Sequence, residues 1–486
     1  MSSSKKAWAV VIALLLVVVG AAGAFVWKRY IHAPWDEDYA YTKGVQAVIY
    51  AFPYVLNSSV RWAWSQPAKE GEEVKAPTDA INHFFHSPRL TGAKYRDGGT
   101  PNNDTVYSPT WAYVDKEPLI ISVPDMGTVP GSDKPRYFSL ELSGFDSDNF
   151  AYIGTRATGN GAGNFAIVPK GWTGTLPANV KLLAEAPTPW FLILGRTLVM
   201  NNEDFPAVSK LIHQFRLATL SDFENQVDRR PPAPPLTPVP HYKNDRLALL
   251  KEFWPIANAA MTVNPPAAID DRLMRFFSDI EVGPGRDLTR LSEGMQRGLD
   301  RAAMRGLMLL PEVNQTSYGT KLVNGWKYPP MNYGRAGVDG SFLTRAALQS
   351  LGGIVANDPE EAVYIVAHTD AEGLLLNGGD NYQVTFAKGQ TPPVDAFWSM
   401  TIYDNTNNLV ANPIDRYSLG DRTADLQVNA DGSTTIYIGR QPPAQAPQSN
   451  WLPAPEDDFY LVLRAYLPKA EIVSQTWEPP ALVKLK

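Results

Sequence analysis

The stretch RRPPAPPLTPVPH, residues 229–241, carries six prolines in thirteen positions. Proline fixes φ and lacks a backbone N–H, so neither a helix nor a central strand persists there. The segment 229–242 therefore reads as the main linker, and the chain changes character across it.

Upstream, LIISVP (119–124), RYFSLEL (136–142), FAYIGT (150–155) and FAIVP (165–169) are short apolar or alternating runs parted by Gly, Pro, Asp and Asn. They predict strands of an antiparallel sandwich. YTKGVQAVIYAFPYVL (41–56), which contains Pro53, and DFPAVSKLIHQFRLATL (204–220), with Asp204 as N-cap, space their apolar residues as helices do. Both should pack against that sheet. Downstream, NDRLALLKEFWPIANAAM and RDLTRLSEGMQRGLDRAAMRGLMLL repeat apolar residues every three or four, so 243–320 is predicted helical and reads as a structural insert. From 321 onward, AVYIVAHTD, YQVTF, AFWSMTIYD, STTIYIG and FYLVLRAYLP have the aromatic and β-branched content of sheet. The predicted fold class is mainly β with helices (α+β). Two antiparallel β-sandwich, jelly-roll-like domains, 38–228 and 321–486, are joined by a helical region and preceded by one N-terminal transmembrane helix.

That last element rests on Ala7 to Trp27, 21 uncharged and mostly apolar residues, about 31 Å long as a helix and enough to cross a bilayer core. Residues 1–30 are expected to anchor the chain in the inner membrane as a single pass. Lys5 and Lys6 would stay cytoplasmic and the body would lie in the periplasm. Ala22-Gly23-Ala24 leaves a cleaved signal peptide open, with the body in the same compartment.

Apolar residues make up 44% of the 486 and charged residues 19%, a globular composition. The formal net charge is −6; the first 30 residues hold four basic groups and no acid, leaving 40 basic against 50 acidic in the body. Nucleic acid is excluded as a partner on that balance. Cysteine is absent, so disulfides, thiolate metal sites and a cysteine nucleophile are excluded together. No G-x-S-x-G elbow, H-E-x-x-H helix or P-loop occurs.

The most concentrated polar word is PNNDTVYSPTW, 101–111. Asn102, Asn103, Asp104 and Tyr107 offer the amides, acid and phenol that a polar ligand needs; the same residues also pin turns to their own backbone. Asp104, Tyr107, Asp370 and His368 are the catalytic candidates, carboxylates and a carboxylate-oriented base meeting in a shared cleft. Asn102, Asn103, Trp398, Arg416, Asn450, Trp451 and Arg464 are the ligand-binding candidates, the arginines for an anionic group and the tryptophans for stacking. A buried Arg464–Asp pair is the structural alternative. His83 and His86 would hold a metal only if they met Asp104; packing and capping explain them as well, and no metal or cofactor is expected.

A wider pattern joins these words. Asn82-His83-Phe84, the 101–107 run, Gly195-Arg196-Thr197, Asn324-Gly325-Trp326, Arg345-Ala346, Glu361-Ala362-Val363-Tyr364, Asp370 with Gly373, Pro392-Pro393-Val394, Ala396-Phe397-Trp398-Ser399, Asn412-Pro413 with Arg416-Tyr417, Asn450-Trp451-Leu452-Pro453 and Arg464-Ala465-Tyr466 occur in order. Together they resemble bacterial exported proteins that pair the domains of unknown function numbered 1254 (N-terminal, roughly 40–225) and 1214 (C-terminal, roughly 340–480). The resemblance implies two β-rich, sandwich-like domains with a helical region between them, and brings no reaction with it.

Two functional readings stand. One is a membrane-anchored envelope protein acting as a hydrolase or lyase on a small organic or carbohydrate-like substrate, through carboxylates and tyrosine. The other is a non-catalytic ligand-binding or envelope-assembly protein, its exposed aromatic strands permitting a homo-oligomer.

Overall fold

The computed structural model describes residues 19–20, 34–68, 77–96, 98–444 and 446–485. The segment expected to anchor the chain, 1–30, lies outside the described residues but for two. No helix among the described residues is long and apolar enough to cross a membrane.

Helix α1 (Trp35–Ser65) opens with Asp36, Glu37 and Asp38 in its first turn, where carboxylates complement the helix dipole, and it continues through Pro53. Eight strands follow: β1 (Thr105–Tyr113), β2 (Leu119–Val123), β3 (Phe138–Gly144), β4 (Asn149–Gly154), β5 (Gly163–Val168), β6 (Lys181–Glu185), β7 (Trp190–Leu198) and β8 (Arg216–Thr219). They form two sheets, β1-β7-β3-β4 and β6-β5-β2-β8. Phe138, Leu140 and Ile193 of the first share one core with Ile121, Phe165 and Ile167 of the second. The run at 204–220 does not stay helical. Helix α2 (Phe205–Ile212) buries Val208 and Ile212, and the chain then turns extended at β8, where Arg216 pairs with Ser122 on the open edge of β2, before α3 (Leu220–Glu224). Hydrogen bonds offered by that edge outweigh the weak preference of four residues for helix.

The proline-rich segment is irregular but fastened. Its Pro231 and Pro232 carbonyls accept from the Asn82 amide at 3.2 and 3.0 Å, its Pro240 carbonyl accepts from Ser59 at 2.8 Å, and Leu236 and Val239 pack on the helical core.

Helices α4 (Arg246–Val263), α5 (Asp271–Phe277) and α6 (Glu293–Asn314) complete the helical layer. Helices α4 and α6 share a core with α1 through Val48, Tyr54, Phe253, Trp254 and Leu299, so the region expected to be an insert joins the start of the chain in one bundle. The α1–α6 contact is very close because Gly294, Gly298, Ala302 and Gly306 recur every four residues along one face of α6. A Cβ on Gly298 would lie 2.2 Å from the Glu37 carbonyl oxygen, and one on Gly306 2.3 Å from Val48. Glu37, buried at this contact, accepts from Arg297 at 2.9 Å and Arg301 at 3.0 Å.

The rest of the chain supplies β9 (Lys321–Val323), β10 (Trp326–Tyr328), β11 (Ala362–Ala367), β12 (Tyr382–Phe386), β13 (Val394–Asp404), β14 (Ser418–Gly420), β15 (Thr434–Gly439), β16 (Trp451–Pro453), β17 (Phe459–Pro468) and β18 (Val483–Lys484). The sheets are β14-β13-β17-β11-β10-β9 and β16-β15-β12-β18. Ile365, Met400 and Leu463 of one share a core with Val384, Ile436 and Leu452 of the other. The molecule is thus mixed α+β, built on largely antiparallel sheets; β5–β6 and β15–β16 pair in parallel.

Candidate functional site

Where the first pair of sheets, the helical layer and the last strands meet, they leave a cleft of about 1700 Å³. Three arginines on three elements give it its chemistry. Arg196 stands on β7 opposite Tyr107 on β1, Arg464 stands on β17 opposite Tyr364 on β11, and Arg422 follows β14. All three line the cleft.

Two of them have carboxylate partners. Arg196 donates to Glu141 at 2.5 Å and to the Asn357 amide oxygen at 3.1 Å. Arg422 is ion-paired with Asp104. Burial pushes the Glu141 carboxyl above its usual range despite the neighbouring Arg196.

Arg464 differs. It is 2% exposed, and among the described residues no carboxylate lies within ion-pair distance of it. Its Nη2 donates to Tyr403 at 2.7 Å and to the Thr100 carbonyl at 3.3 Å, while Nε and Nη1 have no protein partner. The Tyr364 and Tyr403 rings lie 5.2 and 5.4 Å from the guanidinium carbon. A guanidinium is charged at any accessible pH, and a buried charge without an anion in contact is costly; the Asp104 carboxylate, held by Arg422 and Ser399, acts on it only from beyond ion-pair distance. The Nε atoms of Arg196 and Arg422 and the Oδ1 of Asn103 likewise lack protein partners. The charge of the whole lining follows the same sign: nine of its residues are Arg or Lys and two are Asp, in a chain of net charge −6.

The 101–104 loop is largely taken up by the final strands. Asn102 donates to Thr105 at 2.8 Å and to the Tyr466 hydroxyl at 2.7 Å, and accepts from the Asp104 N–H. The Pro101 carbonyl accepts from Tyr403 at 2.7 Å, and Asp104 accepts from Ser399 at 2.6 Å. The loop is therefore a clamp between the two β-rich halves. Asn102, Asn103, Asp104 and Tyr107 all line the cleft, with the Oδ1 of Asn103 left unpartnered, and burial raises the Tyr107 phenol.

Other candidates are divided by the fold. His368 lines the cleft and stacks on Tyr460 with ring centres 4.9 Å apart; burial and Lys327 hold its imidazole below the usual value. Asp370, expected to orient it, instead accepts from the Glu372 and Leu374 N–H groups at 2.9 and 3.0 Å in its own turn, away from the cleft lining. Trp398 packs on Phe386 in the core. Trp451 donates to the Gly439 carbonyl at 2.8 Å, and Asn450 binds the backbone at Gln427 and Thr435. Arg416 sits on the rim and donates to the Gln448 and Trp451 carbonyls. Among the described residues no three His, Asp or Glu side chains gather as metal ligands. His86 contacts Ser108 at 2.9 Å and the His213 ring at 4.5 Å between centres, not Asp104.

Glu141, Asn357 and Arg422 had no role in the sequence reading, and Arg196 and Tyr364 entered it only through the family resemblance, not as site candidates. The available signal was an ionisable residue inside an apolar strand, as Glu141 is in FSLELSG.

Residues 81–219 match the family described as Protein of unknown function (DUF1254), and residues 361–470 match Protein of unknown function (DUF1214). The chain carries both domains in tandem. The arginine cluster draws on each: Arg196 belongs to the DUF1254 domain, Arg422 and Arg464 to the DUF1214 domain, and the 101–104 clamp of the first closes on the second. No curated protein matches the chain. Among solved structures, the VPA0106 protein from Vibrio parahaemolyticus superposes with a TM-score of 0.68 at 23% identity, over 92% of this chain and all of that one, which shows a shared fold. An uncharacterized protein from Burkholderia cenocepacia, at 13% identity and a TM-score of 0.43 over 89% of this chain and 87% of that one, is too distant to support an argument.

Proposed function

We propose that this protein binds a small organic anion in the cleft between its DUF1254 and DUF1214 domains, with Arg464 as the anchor. The observation that carries this reading is the buried Arg464 guanidinium, which has two donor atoms without a protein partner. A carboxylate or similar oxyanion supplies the missing charge and accepts a charge-assisted hydrogen bond from one of these unpartnered nitrogens. The excess of basic side chains along the lining raises the local anion concentration and the rate of capture.

Binding is better supported than hydrolysis or elimination because the two aspartates do not face a common substrate. Asp104 is engaged by Arg422 and Ser399, and Asp370 lies in its own turn. The apolar run Ala7 to Trp27 supports placing the site in the periplasm on a membrane-anchored body. We also take each pair of facing sheets as a sandwich, which holds the walls of the cleft rigid.

Thermal-shift titration with acetate, succinate, phosphate and glucose tests the reading. An anion should raise the melting temperature while glucose does not, and Arg464→Gln should remove the response. An anion response that persists in Arg464→Gln would place the binding elsewhere.

A further inference from the structure

The arginine end occupies only part of the cleft. Its volume of about 1700 Å³ exceeds the roughly 300–1,000 Å³ of ordinary small-ligand pockets. Another part of the lining is hydrocarbon. Leu348 comes from a π-helical turn, Thr344–Ser350, a rare conformation that tends to occur at functional sites. Leu351, Ile354 and Val355 follow it on the same wall, and Leu194 comes from β7.

The two surfaces adjoin. Val355 is two residues from Asn357, which accepts from Arg196 at 3.1 Å and donates to the Tyr364 hydroxyl at 3.2 Å, beside Arg464. Ile354 adopts φ 69° and ψ −52°, outside the comfortable range of a β-branched residue. Such strain persists where the surroundings impose it, often at ligand sites. Leu351 and Ile354 are only half-buried, so apolar surface stays uncovered within reach of the charged end.

We infer that the anion is an aliphatic carboxylic acid, its carboxylate on Arg464 and its hydrocarbon chain along the 348–355 wall. This inference rests on the anion-binding reading above and adds the requirement for a chain. A compact, fully polar anion would leave the leucine and isoleucine surface in water, whereas each methylene laid on it is removed from water.

Isothermal titration of the full chain in lipid nanodiscs, with empty nanodiscs as the blank, against butanoate, octanoate and 1-octanol decides it. Affinity should rise about fourfold per methylene, ~0.8 kcal/mol, so octanoate should bind at least tenfold more tightly than butanoate. Octanol, lacking the charge, should bind at least tenfold more weakly than octanoate. Leu351→Asp should shrink the octanoate-to-butanoate ratio. Equal affinity for the two acids overturns the aliphatic ligand and leaves the anion site standing; no binding of either acid removes both. The chain-length series uses the unaltered protein, so it decides the question even where a variant fails to fold.

Discussion

Asp104, on the loop that leads into the first strand of the DUF1254 domain, is ion-paired with Arg422 of the DUF1214 domain and accepts the Ser399 hydroxyl at 2.6 Å on its other oxygen. The carboxylate is 1% exposed. One side chain thus joins two units whose matched regions begin 280 residues apart in sequence.

Asp104→Asn should therefore lower stability. It leaves the Arg422 charge poorly compensated, and breaking such a pair costs roughly 2–4 kcal/mol. Urea unfolding measures the loss, and a double-mutant cycle with Arg422→Met should recover part of it. An Asp104→Asn protein with an unchanged midpoint would show that the pair holds nothing together.

Arg464→Met should behave in the opposite way. No carboxylate is orphaned by the change, and a buried charge is replaced by an apolar chain of similar length, so unfolding stability should stay within about 1 kcal/mol of the parent or rise. Anion binding should be lost. A large fall in the urea midpoint would instead make Arg464 a structural residue.

Gly298→Ala tests the α1–α6 contact. At an open helical site alanine would gain about 1 kcal/mol over glycine, but here the added carbon would lie 2.2 Å from the Glu37 carbonyl oxygen. Separating the helices should cost about 1–3 kcal/mol net. A variant more stable than the parent would contradict the spacing.

His86 predicts a pH dependence. Burial, with His213 and His83 close by, lowers its pKa from the usual 6.5 to about 3. Below pH 6.5 the unfolded chain takes up a proton that the folded chain refuses, so this contribution is full above 6.5, declines as the pH falls and levels off near 3. Between pH 7.5 and 5 the parent should lose up to ~2 kcal/mol that His86→Asn does not lose. Parallel pH profiles for the two proteins would contradict it.

Much of the architecture was legible in local pattern. Alternation and turn residues marked β2, β3, β4, β5 and the long strands β13 and β17; three-and-four spacing marked α4 and α6. The bundle of α1 with α6 was not read, although Gly294, Gly298, Ala302 and Gly306 form a stripe that hydrophobic periodicity overlooks, since it scores what is apolar rather than what is small. The run at 204–220 was misjudged at its end because strand pairing at β8 depends on a partner edge almost a hundred residues earlier. Loop 101–104 stood out as dense in polar groups, but which of them would be tied across the two domains was decided by partners as distant as Arg422 and Tyr466.

The sequence by itself determined the residue chemistry: an acidic, cysteine-free chain of β-rich and helical segments, with arginine and tyrosine set among apolar strand residues. That follows from spacing along the backbone, where neighbours are fixed by covalent geometry. Only the tertiary structure decided that Arg196 and Arg422 would have carboxylates and Arg464 would not. The energy of a charge depends on which groups surround it once water is gone, and those groups come from strands and loops that meet only when the chain folds.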